Sequence, residues 1–199
     1  MSSYPYKDRF PVNRTLPEKG RPRDEILAEM AALAHEEDAS WEGGRVSGTM
    51  YCGDHDHYDF LNDVFGLYAH VNILQRDITP SATRYEGEVI AMALDLFHAD
   101  AVTDGEPAGL VTSGGTGSIC HAVLAYREIA RERGVVQPNF IKPETGHPAF
   151  DKACHLFGIE LRQAPVDPVT LQADVAWIKD NIDDQTIGFM GSACNYGYG

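Results

Sequence analysis

The second half of the chain alternates helical periodicity with short apolar runs, and this alternation constrains the fold most. The apolar runs predict strands over residues 139–142, 159–164 and 186–192. The periodic stretches predict helices from Ile119 to about Gly134, from Pro148 to Gly158, and over 169–182. Helices alternating with strands are typical of crossover units, whose parallel strands share one sheet with helices on both faces. The sequence therefore predicts an α/β fold with a mostly parallel sheet flanked by helices.

The first hundred residues show helical periodicity instead. Four prolines punctuate residues 1–22, which predicts an extended arm that wraps a partner subunit or forms a disordered tail. Apolar spacing predicts helices over residues 23–35, 58–70 and 84–98. We therefore expect an arm over 1–22, a helical segment over 23–100, and the first part of an α/β domain over 101–199.

Charge and composition exclude several classes of function. The net charge is −14, with 30 acidic and 16 basic residues, which argues against a nucleic-acid partner because phosphate backbones require clustered Lys and Arg. A small phosphorylated ligand needs only a few local donors. No apolar stretch approaches the roughly 20 residues of a transmembrane helix, and no secretory signal is evident, so we expect a cytoplasmic protein.

Cysteine and histidine spacing favours no metal site. The four cysteines lie far apart without a Cys-x-x-Cys pair, which indicates reduced thiols and neither a disulfide framework nor a zinc cluster. Residues 54–57 read Asp-His-Asp-His, but no third ligand stands at a supporting spacing. We expect no metal.

The strongest local signal is a glycine-rich loop directly before a predicted helix, Thr112-Ser113-Gly114-Gly115-Thr116-Gly117-Ser118. Glycines allow close approach to a ligand, and a helix N-terminus presents unpaired N–H groups that suit a phosphate. The hydroxyls of Thr116 and Ser118 could add donors. The loop matches neither a P-loop nor a dinucleotide fingerprint, and a plain connection remains the alternative.

A second signal is His147, which lies at a strand-to-helix junction in Glu144-Thr145-Gly146-His147-Pro148. Open α/β sheets place ligands at the carboxyl ends of their strands, so we expect His147 to face the same crevice as the glycine-rich loop. A histidine there could stack its ring or transfer a proton, and a helix-capping role is the alternative.

With these residues in view, the chain resembles the sphingosine-1-phosphate lyases, within the group II decarboxylases that depend on pyridoxal 5′-phosphate (PLP) and share the aspartate-aminotransferase fold. The resemblance runs from about Leu16 to Gly199. It is carried by five segments: residues 16–20, 44–51, 111–119, 147–153 and 191–199.

The resemblance implies roles for particular residues. Gly115 and Thr116 would hold the cofactor phosphate in a loop shaped by Ser113 and Gly114, and His147 would stack on the pyridine ring as a catalytic residue. Tyr51, a second catalytic candidate, would lie with Asn72 and Gln75 near the substrate. A loop containing Ser192 and Asn195 would run beside the cofactor. The implied assembly is a homodimer with active sites at the subunit interface.

Three departures from the family pattern stand out. Gly117 replaces a glutamate, and Gln75 replaces a histidine that binds substrate phosphate. The chain also lacks the family's His-x-Asp segment and its His-Lys pair, whose lysine holds the cofactor covalently, so the α/β domain looks incomplete at its C-terminus.

The resemblance implies a carbon–carbon lyase that cleaves sphingosine 1-phosphate into phosphoethanolamine and a long-chain aldehyde. An amino-acid decarboxylase of the same fold is the alternative that Gln75 favours. A non-catalytic phosphate-binding module is the alternative that the missing lysine favours.

Overall fold

A computed structural model describes residues 4–45, 53–193, 195 and 197. The chain divides into two compact units, Met1–Val71 and Asn72–Gly199. The predicted division into an arm, a helical segment and an α/β domain stays a prediction. Within the described residues, no helix has both the length and the apolar character needed to cross a bilayer.

The first unit contains two helices, α1 (Arg23–Glu42) and α2 (His55–Tyr68). Helix α1 continues past its predicted end at His35. Helix α2 begins three residues before its predicted start, because the Asp54 side chain accepts a hydrogen bond from the backbone N–H of Asp56 and caps the helix. Neither helix contains a buried residue, although α2 carries a row of apolar side chains.

The arm makes contacts with helix α1. Residues 6–10 form a turn in which the amides of Arg9 and Phe10 donate to the Tyr6 carbonyl. The Tyr6 hydroxyl donates to Glu37 at 3.0 Å, and Arg9 forms an ion pair with Glu36. Whether the arm also contacts a partner stays a prediction.

The second unit contains the predicted α/β arrangement. Its helices are α3 (Pro80–Leu96), α4 (Gly115–Glu132), α5 (Ala149–Phe157) and α6 (Val175–Asp180), with a 3-10 turn at Ala99–Ala101. Its strands are β1 (Asn139–Pro143), β2 (Glu160–Ala164) and β3 (Thr186–Phe189). The strand order is β2-β1-β3, and both outer strands run parallel to β1. The predicted parallel sheet is confirmed.

The predicted helix over residues 169–182 is wrong in its first half. Asp167 accepts hydrogen bonds from the amides of Val169 and Thr170, and this turn competes with a helical start. An antiparallel bridge between Val166 and Ala173 then closes the loop. Helix α6 begins only after Asp174, whose side chain caps it. Strand β3 likewise ends at Phe189, short of the predicted Ser192.

The core of the second unit lies between helices α4 and α5 and the sheet. Its fully or nearly fully buried members are Val123, Phe140, Ala153, Cys154 and Ile159. Phe140 on β1 stacks on Phe150 of α5, with ring centroids 5.6 Å apart. Strand β1 is buried along its whole length, as expected of a central parallel strand.

A polar network closes the amino ends of the strands. Asn139 is fully buried and donates to Asp183 at 2.8 Å, and Arg162 on β2 donates to the same carboxylate at 2.7 Å. Hydrogen bonds from Arg162 and then from Asn139 lower the pKa of Asp183 from 3.8 to about 2. The network therefore ties β1, β2 and the start of β3 together.

Candidate functional site

A cavity of about 570 Å³ lies at the carboxyl edge of the sheet. The loop after each of the three strands contributes to its lining. The lining residues are Glu144, Thr145, His147 and Pro148 after β1, Val166 after β2, and Asn195 and Gly197 after β3. This is the edge at which open parallel sheets bind ligands.

His147 lines this cavity, and one of its ring nitrogens has a backbone partner. Its Nδ1 lies 3.1 Å from the backbone nitrogen of Ala149. A backbone N–H only donates, so Nδ1 accepts, and the neutral ring carries its proton on Nε2. The ring is exposed beside Pro148 at the start of helix α5. His147 therefore offers an aromatic face and an Nε2–H donor.

A buried charge, the ammonium group of Lys142, contacts the loop that carries His147. Lys142 on β1 is 2% exposed, and its Nζ donates to the Gly146 carbonyl at 2.8 Å. The same Nζ lies 2.5 Å from Oδ2 of Asp151 in the first turn of α5. The sequence does not predict this pair; its only signal is a lysine within the predicted strand over residues 139–142.

Cys154 lies one turn further along α5 and is fully buried. Burial, and secondarily the charge of Asp151, raises the pKa of its thiol to about 11, partly opposed by Lys142. A thiol in this state is a poor nucleophile. Cys154 is therefore a core residue.

The glycine-rich loop ends where helix α4 begins at Gly115. Gly114 adopts φ 153° and ψ 169°, a combination that essentially only glycine tolerates. The Thr112 hydroxyl donates to the Gly114 carbonyl at 2.9 Å and lies 2.6 Å from the Ser118 hydroxyl. The Ser118 hydroxyl thus contacts the loop, and its use as a ligand donor stays a prediction.

The glycine-rich loop fits a phosphate group. A Cβ placed on Gly114 or Gly115 would meet no atom within 4 Å, so space is open around the backbone at the helix start. The amides of the first helical turn have no acceptor within the helix, and they carry the positive end of the α4 dipole. Ser113 and Thr116 are exposed beside them. The loop residues are not among those that line the cavity at His147.

The other predicted site residues have different surroundings. Asn195 lines the cavity, and its side chain lies 3.4 Å from the Thr145 hydroxyl. Ser192 is exposed in the same loop. Asn72 and Gln75 are exposed in one turn, where the Asn72 side chain accepts from the amide of Leu74 at 3.1 Å. Tyr51 lies outside the described residues, and all of these roles stay predictions.

The histidines of the Asp-His-Asp-His segment have a structural explanation. His55 and His57 lie on helix α2, where His55 Nε2 is 3.0 Å from Glu42 and its ring contacts Trp41. Among the residues that the structure describes, no three His, Cys, Asp or Glu side chains form a group that could hold a metal ion.

The resemblance implies a cofactor that is bound by a lysine, so the surroundings of the lysines bear on the site. The five lysines are Lys7, Lys19, Lys142, Lys152 and Lys179, and all lie in the described part of the chain. None lines the cavity beside His147. The described residues therefore fit the phosphate and the ring of PLP, but they offer no lysine for its aldehyde.

Comparison with known proteins shows which proteins the chain is similar to. No family model matches it. The sphingosine-1-phosphate lyase of Drosophila melanogaster is 39% identical over 94% of this chain, which corresponds to 34% of that protein. The chain thus spans about a third of the length of the curated relatives that it matches.

Solved structures agree. The sphingosine-1-phosphate lyase of Burkholderia pseudomallei is 51% identical, superposes with a TM-score of 0.88, and is matched over 99% of this chain and 46% of its own. A glutamate decarboxylase of Lactobacillus brevis, at 17% identity and a TM-score of 0.61 over 92% of this chain and 42% of its own, shares the fold. PLP is the cofactor expected of such proteins. Over nearly its whole length, the chain therefore matches sphingosine-1-phosphate lyases.

Proposed function

We propose that this chain supplies the phosphate loop and the ring-stacking histidine of a PLP-dependent lyase that acts on phosphorylated sphingoid bases. The observation that carries the proposal is the cavity built from the loops after all three strands, with His147 at its wall. Identity of 51% to a solved sphingosine-1-phosphate lyase supports the substrate class.

Each part of the site has a separate task. The amides at the start of α4, with Thr116, hold the phosphate of the cofactor. When bound, PLP draws electrons from the substrate's amine-bearing carbon, so that a bond to this carbon can break. His147 stacks its ring on the cofactor and directs Nε2–H into the cavity. Asn195 lines the cavity beside Thr145.

The proposed reaction breaks the bond between the amine-bearing carbon and the neighbouring hydroxyl-bearing carbon. The hydroxyl loses its proton and becomes an aldehyde carbonyl, and the amine-bearing carbon gains a proton. The products are a long-chain aldehyde and phosphoethanolamine, which together contain all atoms of the substrate. The family resemblance further implies substrate-binding roles for Tyr51, Asn72 and Gln75.

We also propose that the protein is a cytoplasmic homodimer. Apolar side chains on α2 and α3 support a protein-covered surface: Phe65 is 71% exposed and Met92 65% exposed. Light scattering on the full-length protein tests the dimer, and a monomer would contradict it.

The test is product analysis of the protein encoded by the gene, loaded with PLP. We expect phosphoethanolamine and aldehyde from sphingosine 1-phosphate, and a His147→Ala variant with weakened cofactor absorbance and lower turnover but an unchanged far-ultraviolet circular dichroism spectrum. Release of carbon dioxide from amino acids, with sphingosine 1-phosphate untouched, would establish the decarboxylase instead. Phosphate binding without either activity would establish the binding module.

A further inference from the structure

Lys142 combines three properties that rarely occur together. It is a lysine, it is 2% exposed, and it lies on the central strand β1, next to the loop that carries His147. Its Nζ has two partners, the Gly146 carbonyl at 2.8 Å and the Asp151 carboxylate at 2.5 Å. Both partners belong to the segment around His147.

Stability alone explains this arrangement poorly. Removing an ammonium group from water carries a large desolvation penalty, and its attraction to a carboxylate offsets that penalty only in good geometry. A buried ion pair is often replaced by apolar side chains of similar volume without loss of stability. The Asp151 oxygen that faces Lys142 is itself buried and accepts no hydrogen bond of good geometry, although the side chain as a whole is 39% exposed.

The geometry of the two contacts indicates what the lysine does. Gly146 directly precedes His147, and Asp151 lies four residues after it, so Lys142 connects the two sides of the histidine. Gln163 on β2 donates to the other oxygen of Asp151 at 3.2 Å, which ties the start of α5 to a second strand. The hydrogen bond from the Ala149 amide to His147 Nδ1 lies between the two residues that Lys142 contacts, Gly146 and Asp151.

Gly146 itself has little freedom to move. Its amide donates to the Pro143 carbonyl at 2.8 Å in a tight turn. A Cβ at this position would lie 3.0 Å from Met190 Sδ and 3.0 Å from the Pro143 carbonyl oxygen. Lys142 contributes to this enclosure as well, because the same Cβ would lie 3.3 Å from Lys142 Cδ.

We propose that Lys142 is a positioning residue that, together with Asp151, fixes the ring of His147 relative to the sheet. The proposal deepens the proposed function and rests on it for the role of His147. Lys142 acts through the Gly146 carbonyl and the first turn of α5, and it does not contact the reacting atoms.

The test compares three variants of the full-length protein. Lys142→Met removes the charge at similar volume, and Lys142→Met/Asp151→Leu removes both charges. Lys152→Met is the matched control, since Lys152 is exposed and lies next to Asp151 on helix α5. For each variant we would measure the denaturation midpoint, the ¹⁵N shifts of the His147 ring, and the affinities for inorganic phosphate and for PLP.

We expect Lys142→Met to bring the His147 shifts close to those of a histidine in free exchange between tautomers. PLP should bind about tenfold more weakly, as is usual when a residue supporting a ligand-contacting group is lost, whereas inorganic phosphate should bind as before. The double variant should regain wild-type stability but not the His147 shifts, because the Gly146 carbonyl still lacks its donor. Lys152→Met should match the wild type in every measurement.

Other outcomes overturn the proposal. One is a Lys142→Met protein with unchanged His147 shifts. Another is a double variant that recovers stability, shifts and PLP affinity together, or that does not fold, because the pair would then serve the fold alone. If the wild-type protein binds no PLP, the proposed function fails, and the ring shifts still decide the role of Lys142.

Discussion

The glycine-rich loop supports a prediction in which two neighbouring residues separate folding from binding. Gly114→Ala and Gly115→Ala each add one methyl group, and neither new Cβ would meet an atom within 4 Å. Contacts therefore do not distinguish the two variants. Their backbone conformations do, since Gly114 has φ 153° and ψ 169°, whereas Gly115 is the first residue of helix α4.

The expected free energies follow from these conformations. An alanine held at the Gly114 conformation costs about 1–3 kcal/mol of stability, because that region is essentially restricted to glycine. An alanine at Gly115 adopts a helical conformation without strain and should raise stability by up to about 1 kcal/mol. The two variants should thus change the free energy of unfolding in opposite directions.

Binding should behave differently, with both variants weakening the affinity for phosphate. In Gly114→Ala the loop shifts away from its bound geometry. In Gly115→Ala the new methyl group occupies the space through which a phosphate reaches the first amides of the helix. Loss of one hydrogen bond to a charged group costs about 1.5–3 kcal/mol of binding free energy, which raises the dissociation constant roughly 10- to 150-fold.

The measurements are chemical denaturation and calorimetric titration with inorganic phosphate. A Gly115→Ala protein that is stable but binds phosphate poorly would support the assignment of this loop. If that variant binds phosphate like the wild type, the phosphate does not approach the start of α4, and the reasoning is refuted.

Two further predictions concern the sheet. In Gly188→Ala the new Cβ would lie 2.9 Å from Cε2 of Phe140 in the core, so we expect denaturant titration to show about 1–3 kcal/mol of destabilisation. The control is Gly87→Ala on α3, where a new Cβ would meet nothing within 4 Å. Equal denaturation midpoints for the two variants would contradict the packing around Phe140. The pKa of Asp183 is lowered to about 2, mainly by Arg162, so its stabilising contribution should be complete above about pH 4 and disappear as the pH falls towards 2. The stability difference between wild type and Asp183→Asn, measured from pH 2 to pH 6, should therefore shrink at the acidic end, and a constant difference would contradict the assignment.

Where local chemistry decides an element, the sequence predicts it closely. Helix α5 runs over Ala149–Phe157 between Pro148, which suits a helix start, and Gly158, which adopts φ 65° at the helix end. Both residues act on the backbone next to them, so no knowledge of the tertiary structure is needed. The strands β1 and β2 are predicted for a similar reason, since their apolar runs are short and bounded by turn residues.

Where a side chain competes with the backbone, sequence periodicity misleads. The run from Val169 has helical apolar spacing, yet the Asp167 carboxylate captures the amides that a helix would need. Leu171 then adopts φ 59°, which breaks the helical path. The outcome depends on a hydrogen bond formed only in the folded loop, and this bond is invisible to periodicity.

The candidate site shows the same division. The position of His147 at the end of β1 follows from a general property of parallel sheets, and the sequence predicts it. The environment of Lys142 does not follow from the sequence, because its partners Gly146 and Asp151 are brought together only by the turn and by the start of α5. A charged residue is expected at the surface by default, and only the folded chain shows that this one is buried.

The small side chains between helices α4 and α5 have a consequence for how proteins of this fold diverge. Ala153 and Cys154 of α5 are completely or almost completely buried and share one core cluster with Val123 of α4. Helix α4 begins at the glycine-rich loop, and α5 begins two residues after His147, so the volume of these side chains helps to set the spacing between the two segments. A larger residue at either position would wedge the helices apart. Ligand preference could therefore drift in a lineage through substitutions that never touch the ligand.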